Sequence, residues 1–335
     1  FISLLLTAFG GIFLIFNPNF FYLCLIYGFW GITTILFFWA ALIKATRGIS
    51  EKRQGLSFGT LEAGRGFVAS LSATVAVFIF TSEVLVNFYF DIFKIKITSL
   101  SLVIFFYSFI TFLSAFMILF LFKDSINKKV ILTKNVLHVS IKSNAKSIFS
   151  IAIVVLSAYT GYKGIDYYSL YFYNIMGYSK EESAILITNL SYLRPISAIL
   201  AGFIADKITS NLSSKIMFIS LIISYFILSF IDWKQNISFF LLANFVISMI
   251  AIFSMRGIFY SLLKEVKIPV NITGVSVGII SLIGYFPDVF VGPIFGYILD
   301  NNNDINSYKL CFIFLLFFAI LGLLSCILMP RKKNN

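Results

Sequence analysis

Charge, histidine and cysteine are all scarce in this chain of 335 residues. Charged side chains make up 12% and hydrophobic ones 59%, where a soluble domain carries about 25% and about 45–50%. That balance excludes a soluble enzyme of one or two domains and equally excludes a disordered chain. The single histidine, His138, has no neighbouring ligand or catalytic partner. Cys24, Cys311 and Cys326 lie apart in apolar runs, which offers neither a disulfide framework nor a zinc site. No metal and no cofactor is expected, and no reactive cluster points to an enzyme.

What the chain has in abundance is apolar length. Ten segments stand out, at about Phe1 to Phe16, Phe20 to Ile43, Leu56 to Thr81, Ser99 to Phe122, Ser147 to Asn174, Ser183 to Ala205, Ile216 to Ile231, Ser238 to Leu263, Ile272 to Leu299 and Ser307 to Met329. Most match the roughly 20 residues that carry a helix across a bilayer; the first and seventh look short. The ten-residue polar–apolar alternation of a membrane barrel is absent. The expected fold class is therefore an all-α polytopic membrane protein.

The formal net charge is +12, which in a soluble protein would suggest a nucleic-acid partner. Its distribution says otherwise, and no nucleic acid is expected. Even-numbered junctions, with the C-terminus, hold 17 basic residues, against 5 at the odd-numbered ones. By the positive-inside rule the first set faces the cytoplasm, the C-terminus included. The longest junction, Lys123 to Lys146, reads as a basic cytoplasmic loop dividing residues 1–122 from 147–335.

An internal repeat supports that division. Gly55-Leu56-Ser57-Phe58-Gly59 opens the third segment and Gly274-Val275-Ser276-Val277-Gly278 the ninth, 219 residues later. Ala41-Leu42-Ile43-Lys44 matches Ser261-Leu262-Leu263-Lys264 at nearly the same shift. Parallel repeats of this kind are a transporter plan. At that shift residue 1 corresponds to the third helix of the second half. The repeat thus implies two further N-terminal helices, roughly 70–80 residues, in a parent of six plus six. The alternative is a genuine ten-helix protein.

Six plus six helices around a basic central loop resembles the major facilitator superfamily. So does Gly202-Phe203-Ile204-Ala205-Asp206-Lys207, which is similar to that family's cytoplasmic loop signature. Gly161 to Tyr171, Leu193-Arg194-Pro195-Ile196, and Thr273 to Gly278 running into Ile283 to Asp288 look like its YihN-type inner-membrane branch. The resemblance implies a multi-pass protein of a bacterial inner membrane, monomeric, with two helical bundles: inferred helices 3–6 in residues 1–122 and 7–12 in residues 147–335. It also implies that Gly202, Asp206 and Lys207 form a conformational latch.

Charges inside spans are costly, and seven stand out: Glu62, Arg65, Lys163, Asp166, Arg194, Arg256 and Asp288. Unpaired, they would cost on the order of 20 kcal/mol together, so they face partners or water. Glu62 with Arg65, and Lys163 with Asp166, sit three apart, on one helical face each. Each pair either neutralises itself or lends a partner to substrate or proton. Lys163 is the leading substrate residue, because Tyr159 and Tyr162 share its region and combine apolar area with a polar tip. Tyr171 and Tyr173 fit an outer aromatic belt instead.

Arg194 precedes Pro195, which permits a bend. A mid-span arginine there suggests an anion site or an ion pair with Asp166 or Asp288. Arg256 and Arg65 join it as substrate-binding candidates. Asp288 follows Pro287 and reads as a proton site or a helix cap; Asp166 and Glu62 are further proton-coupling or ion-pair candidates. Small residues four apart, Gly55 with Gly59, Gly274 with Gly278 and Gly292 with Gly296, would let helices approach closely. The expectation is a secondary transporter of a small anionic or polyhydroxylated solute, working by alternating access, with the proton as coupling ion. The alternative is a non-transporting membrane sensor or scaffold on the same fold.

Overall fold

The structure, a computed structural model, describes residues 1–16, 18–49, 52–81, 98–121, 134–231, 238–301 and 304–330. Among these residues there is no strand. In chain order the helices are α1 (Ile2–Leu14), α2 (Phe20–Trp30), a π-helical stretch (Gly31–Trp39), α3 (Ala40–Ile49), α4 (Gln54–Thr81), α5 (Ser99–Leu121) and α6 (Lys134–Ile165). Then follow α7 (Tyr168–Asn174), α8 (Lys180–Ser191), α9 (Leu193–Ile208), α10 (Ser210–Phe230) and α11 (Ser238–Ile258). A 3₁₀ turn (Phe259–Ser261) leads to α12 (Leu262–Glu265), and the chain ends with α13 (Thr273–Gly284), α14 (Pro287–Asn301) and α15 (Ile305–Ile327).

Nine stretches among the described residues are long and apolar enough to cross a membrane, and Ile2–Leu14 is a shorter tenth. All ten expected segments are thus helical. The seventh is not short: α10 begins at Ser210, because Thr209 caps it, its Oγ1 accepting from Leu212 N at 3.2 Å. The stretch expected as a basic central loop lies outside the described residues up to 133; from Lys134 onward it is already helical.

Two compact units separate: Phe1–Leu42 with Val68–Leu132, and Ile43–Phe67 with Thr133–Asn335. In the first, Trp30 Nε1 donates to Thr7 O at 2.9 Å and Thr7 Oγ1 to Thr33 Oγ1 at 3.0 Å. Hydroxyls bonded between helices replace water that a bilayer does not supply.

The second unit shows its solvent directly in α10. Ser213, Ser214, Phe218, Leu221, Ser224, Tyr225 and Leu228 are buried at helical spacing, while Ile216, Ile219, Ile223, Phe226 and Phe230 are exposed. The exposed face is the more apolar one, the reverse of a soluble amphipathic helix. Tyr168, Tyr171, Phe172, Phe245, Tyr308 and Phe312 form a buried aromatic cluster with ring centroids 4.6–6.4 Å apart. Each such pair contributes about 0.5–1.5 kcal/mol beyond its buried area. Tyr171 therefore belongs to the core and not to an aromatic belt. Tyr173 is exposed, with Lys180 Nζ 5.5 Å from its ring centre.

Helices α4 and α9 meet backbone to backbone in this unit. A Cβ on Gly59 would lie 2.5 Å from Ala198 O, and one on Gly55 2.5 Å from Gly202 O. The expected close approach at Gly55 and Gly59 is therefore present. At Gly274, Gly278 and Gly296 an added Cβ would meet nothing within 4 Å, and at Gly292 only Tyr167 Oη at 4.0 Å. No close backbone approach is therefore seen at those glycines among the described residues, although Gly292 O accepts from Tyr167 Oη at 3.4 Å.

Candidate functional site

Four spans of the second unit break where their charges lie. The first break separates α6 from α7 at Asp166 and Tyr167, where Asp166 N turns back to Lys163 O at 3.3 Å. The second falls at Tyr192, between α8 and α9. Pro195, lacking an N–H, cannot bond back to Ser191, so the helix restarts at Leu193 and Arg194 sits in its first turn. The third follows α11, whose last turn carries Arg256. The fourth separates α13 from α14, where Pro287 opens the new helix and Asp288 lies beside it. Discontinuous helices of this kind expose backbone and side chains to a central site.

Arg194 and Arg256 converge on one carboxylate, Glu62 of the unbroken α4. Glu62 Oε1 accepts from Arg194 Nε at 3.0 Å and Nη2 at 2.5 Å, and from Arg256 Nε at 2.8 Å. Glu62 Oε2 accepts from Arg65 Nη1 at 2.7 Å. Side-chain exposure is 5% for Glu62, 6% for Arg256, 11% for Arg194 and 35% for Arg65. Among the described residues, Arg194 and Arg256 alone outnumber the one carboxylate they share, so the cluster carries an excess of positive charge. Arg256 Nη1 is buried with no hydrogen-bond partner among the described residues. The Arg194 stem crosses α4 at Gly66, where a Cβ would stand 2.9 Å from Arg194 Cγ.

A second cluster lies across a pair of tyrosines. Lys163 Nζ is 2.7 Å from Asp166 Oδ2 and 3.7 Å from Asp288 Oδ1. Tyr159 Oη donates to Asp288 at 3.0–3.2 Å. The Arg256 guanidinium sits 3.8 Å from the Tyr162 ring centre and 5.5 Å from that of Tyr159; Arg194 lies 5.6 Å from Tyr162. Cation–π contacts of this kind are worth about 0.5–2 kcal/mol. Tyr285 packs edge-on against Tyr159 at 4.7 Å and reaches Tyr260 Oη at 3.4 Å.

All nine residues expected for substrate or proton therefore lie in these two linked clusters. Both i, i+3 pairs form as expected. Arg194 pairs with Glu62, and neither Asp166 nor Asp288 takes that role, because the bend at Tyr192 turns it toward α4. The helical face that carries Tyr159 and Lys163 ends at the α6–α7 break. Beyond it Asn174 Nδ2 donates to Tyr308 Oη at 2.7 Å.

The residues expected as a latch form a third group. Asp206 caps α4 from α9, its Oδ1 and Oδ2 accepting from Gly55 N and Leu56 N at 2.8 Å each. Lys207 Nζ lies 4.3 Å over the Phe203 ring. Sequence reasoning missed two neighbours. Arg47, one of the basic residues of the even-numbered junctions, is 6% exposed and donates to Thr273 Oγ1 at 2.5 Å and Ile268 O at 2.6 Å. The Glu265 carboxylate accepts from Ser210 N and Asn211 N at the start of α10.

The Major Facilitator Superfamily model matches residues 1–290. The chain is 27% identical over 345 residues to the inner membrane protein YihN of Escherichia coli strain K12, covering 99% of this chain and 79% of that protein. It is 25% identical over 296 residues to the inner membrane protein YqcE of the same organism, covering 83% and 66%. Among solved structures, a double-Trp mutant of XylE superposes with TM-score 0.71 at 15% identity, covering 100% of this chain and 79% of that one. A bacterial homologue of the iron transporter ferroportin, in an outward-facing state, gives TM-score 0.66 at 14% identity, covering 97% and 81%. These likenesses are of fold.

Proposed function

The chain belongs to the Major Facilitator Superfamily, and on that premise we propose a secondary active transporter of a small organic anion. It works by alternating access in a bacterial inner membrane. Kinship with two inner membrane proteins supports the location, and the lysine distribution supports a cytoplasmic C-terminus.

The observation that carries the substrate sign is the ratio at Glu62, one carboxylate to three guanidiniums. A carboxylate, phosphate or sulfonate group is gripped by guanidinium in two places. Arg256 Nη1, buried and without a partner among the described residues, is the donor held ready for it. Glu62 serves as the resident counter-ion, keeping the arginines together while the site is empty. Asp166 and Asp288, partly exposed beside Lys163, are the groups that exchange a proton with one side of the membrane. Residues 1–122 and 147–335 act as the two rocking bundles. Asp206 is the latch that holds α4 to α9 in one phase of the cycle.

The test is uptake into proteoliposomes of labelled anionic, neutral and cationic solutes, with and without a pH gradient. Anions should enter selectively. Uptake of no solute under any gradient would instead favour the non-transporting scaffold.

A further inference from the structure

The two clusters differ in sign, and the difference bears on what the far end of the solute must be. At the Glu62 end, charge is positive and deeply buried. At the Lys163 end, two carboxylates face one ammonium, leaving one negative charge. Asp166 and Asp288 side chains there are 54% and 46% exposed. The ends are joined through one residue: Arg256 lies against the Tyr159 ring at 5.5 Å, and the Tyr159 hydroxyl donates to Asp288 at 3.0 Å.

Each ionised carboxylate offers about four lone-pair sites. Lys163 and Tyr159 occupy some of those on Asp166 and Asp288; water serves the rest while the site is open. When a solute enters and water leaves, those acceptors need donors from the solute. An alkyl tail would leave them unsatisfied, at a cost for each buried group, and more for charged ones. A second anionic group would meet like charge. A neutral polyol would satisfy this end and leave the arginine excess unanswered.

We propose that the transported solute is bipolar: an anionic head held by Arg194, Arg256 and Arg65, and a hydrogen-bond-donating end, hydroxyl or ammonium, received by Asp288 and Asp166. This rests on the anion-transport reading above and specifies the other half of the same solute. Tyr159 and Tyr162 line the span between the two ends and set their separation.

Four probes of matched chain length separate the possibilities: gluconate, ε-aminocaproate, caproate and sorbitol. Binding is measured calorimetrically on the full chain in detergent. Gluconate or ε-aminocaproate should bind about tenfold or more tighter than caproate, the equivalent of hydrogen bonds to a charged acceptor. Asp288→Asn should remove most of that advantage. If that variant fails to fold, Asp166→Asn carries the same test. Caproate binding as tightly as both donor-bearing anions would overturn the bipolar solute and leave the anion reading standing. Sorbitol binding as tightly as gluconate would overturn the anion reading, and this proposal with it. An advantage that survives both carboxamide variants would overturn the assignment to Asp288 and Asp166. Binding of none of the four would overturn the solute class.

Discussion

Glu62 Oε1 and Arg256 Nε stand 2.8 Å apart although 194 residues of sequence separate them. The contact ties α4 to α11 through a charge that membrane insertion disfavours. Its partner network makes the first prediction. Removing one member of a buried ion cluster leaves uncompensated charge, at a cost of roughly 3–5 kcal/mol. Glu62→Ala should therefore lower the thermal unfolding temperature clearly, and more than Arg65→Ala, whose side chain is 35% exposed.

Glu62 also has a kinetic signature. If it is the counter-ion of the empty site, Glu62→Gln should leave an occupied carrier able to cycle, because the solute itself neutralises the arginines. The empty carrier should return slowly. Proteoliposomes should show exchange near the wild-type rate and net uptake reduced about tenfold, which corresponds to about 1.4 kcal/mol on the return step. Equal loss of both modes would remove the counter-ion role.

The α4–α9 contact allows a steric prediction. Gly59→Ala places a Cβ against the Ala198 carbonyl, a backbone atom that cannot swing away. Overpacking of this kind costs about 1–3 kcal/mol. Gly274→Ala meets open space and should not destabilise. Paired unfolding curves of the two variants check both halves.

Asp206 accepts two backbone N–H groups at the start of α4. Its loss is comparable to the loss of a helix cap, about 0.5–2 kcal/mol. Asp206→Ala should speed hydrogen exchange at Gly55 and Leu56. Exchange at Ser307, capped independently by Asp304, should stay as it is.

Asp304 supplies a pH dependence outside the spans. Its carboxylate accepts from Ser307 N at 2.9 Å and Oγ at 2.8 Å, and these bonds hold its pKa below the usual 3.8. A depressed folded-state value means that the cap's stabilisation is complete above the ordinary carboxylate range and is lost as pH falls through the folded value. Protection of the Ser307 amide should persist at neutral pH and decline below about pH 4. Asn caps without titrating, so Asp304→Asn should flatten that decline.

The spans were legible because apolar length is a one-dimensional property. Glu62 with Arg65 and Lys163 with Asp166 were legible for a related reason: three residues apart on a helix fixes proximity locally. The convergence of Arg194 and Arg256 on Glu62 was not, since no local pattern links residues 132 and 194 positions apart. Prolines announced two of the helix breaks, near Tyr192 and before Asp288. The breaks after Ile165 and Ile258 carry no proline, and only tertiary packing defines them. The inward hydrogen bonds of Arg47 are not legible in the sequence, because a basic residue at a span end serves equally as a surface charge or as an inward anchor, and the choice depends on the distant carbonyl of Ile268.

The central claim is that surplus guanidinium charge selects an anion. Its most direct test is the ratio of gluconate to sorbitol uptake in proteoliposomes, compared between wild type and an Arg256→Gln variant shown by its unfolding curve to be folded. The account predicts a ratio of about ten or more in wild type, the size of a charge-assisted hydrogen-bond contribution, falling toward one in the variant. A wild-type ratio near one, or a ratio unchanged by the substitution, would contradict it.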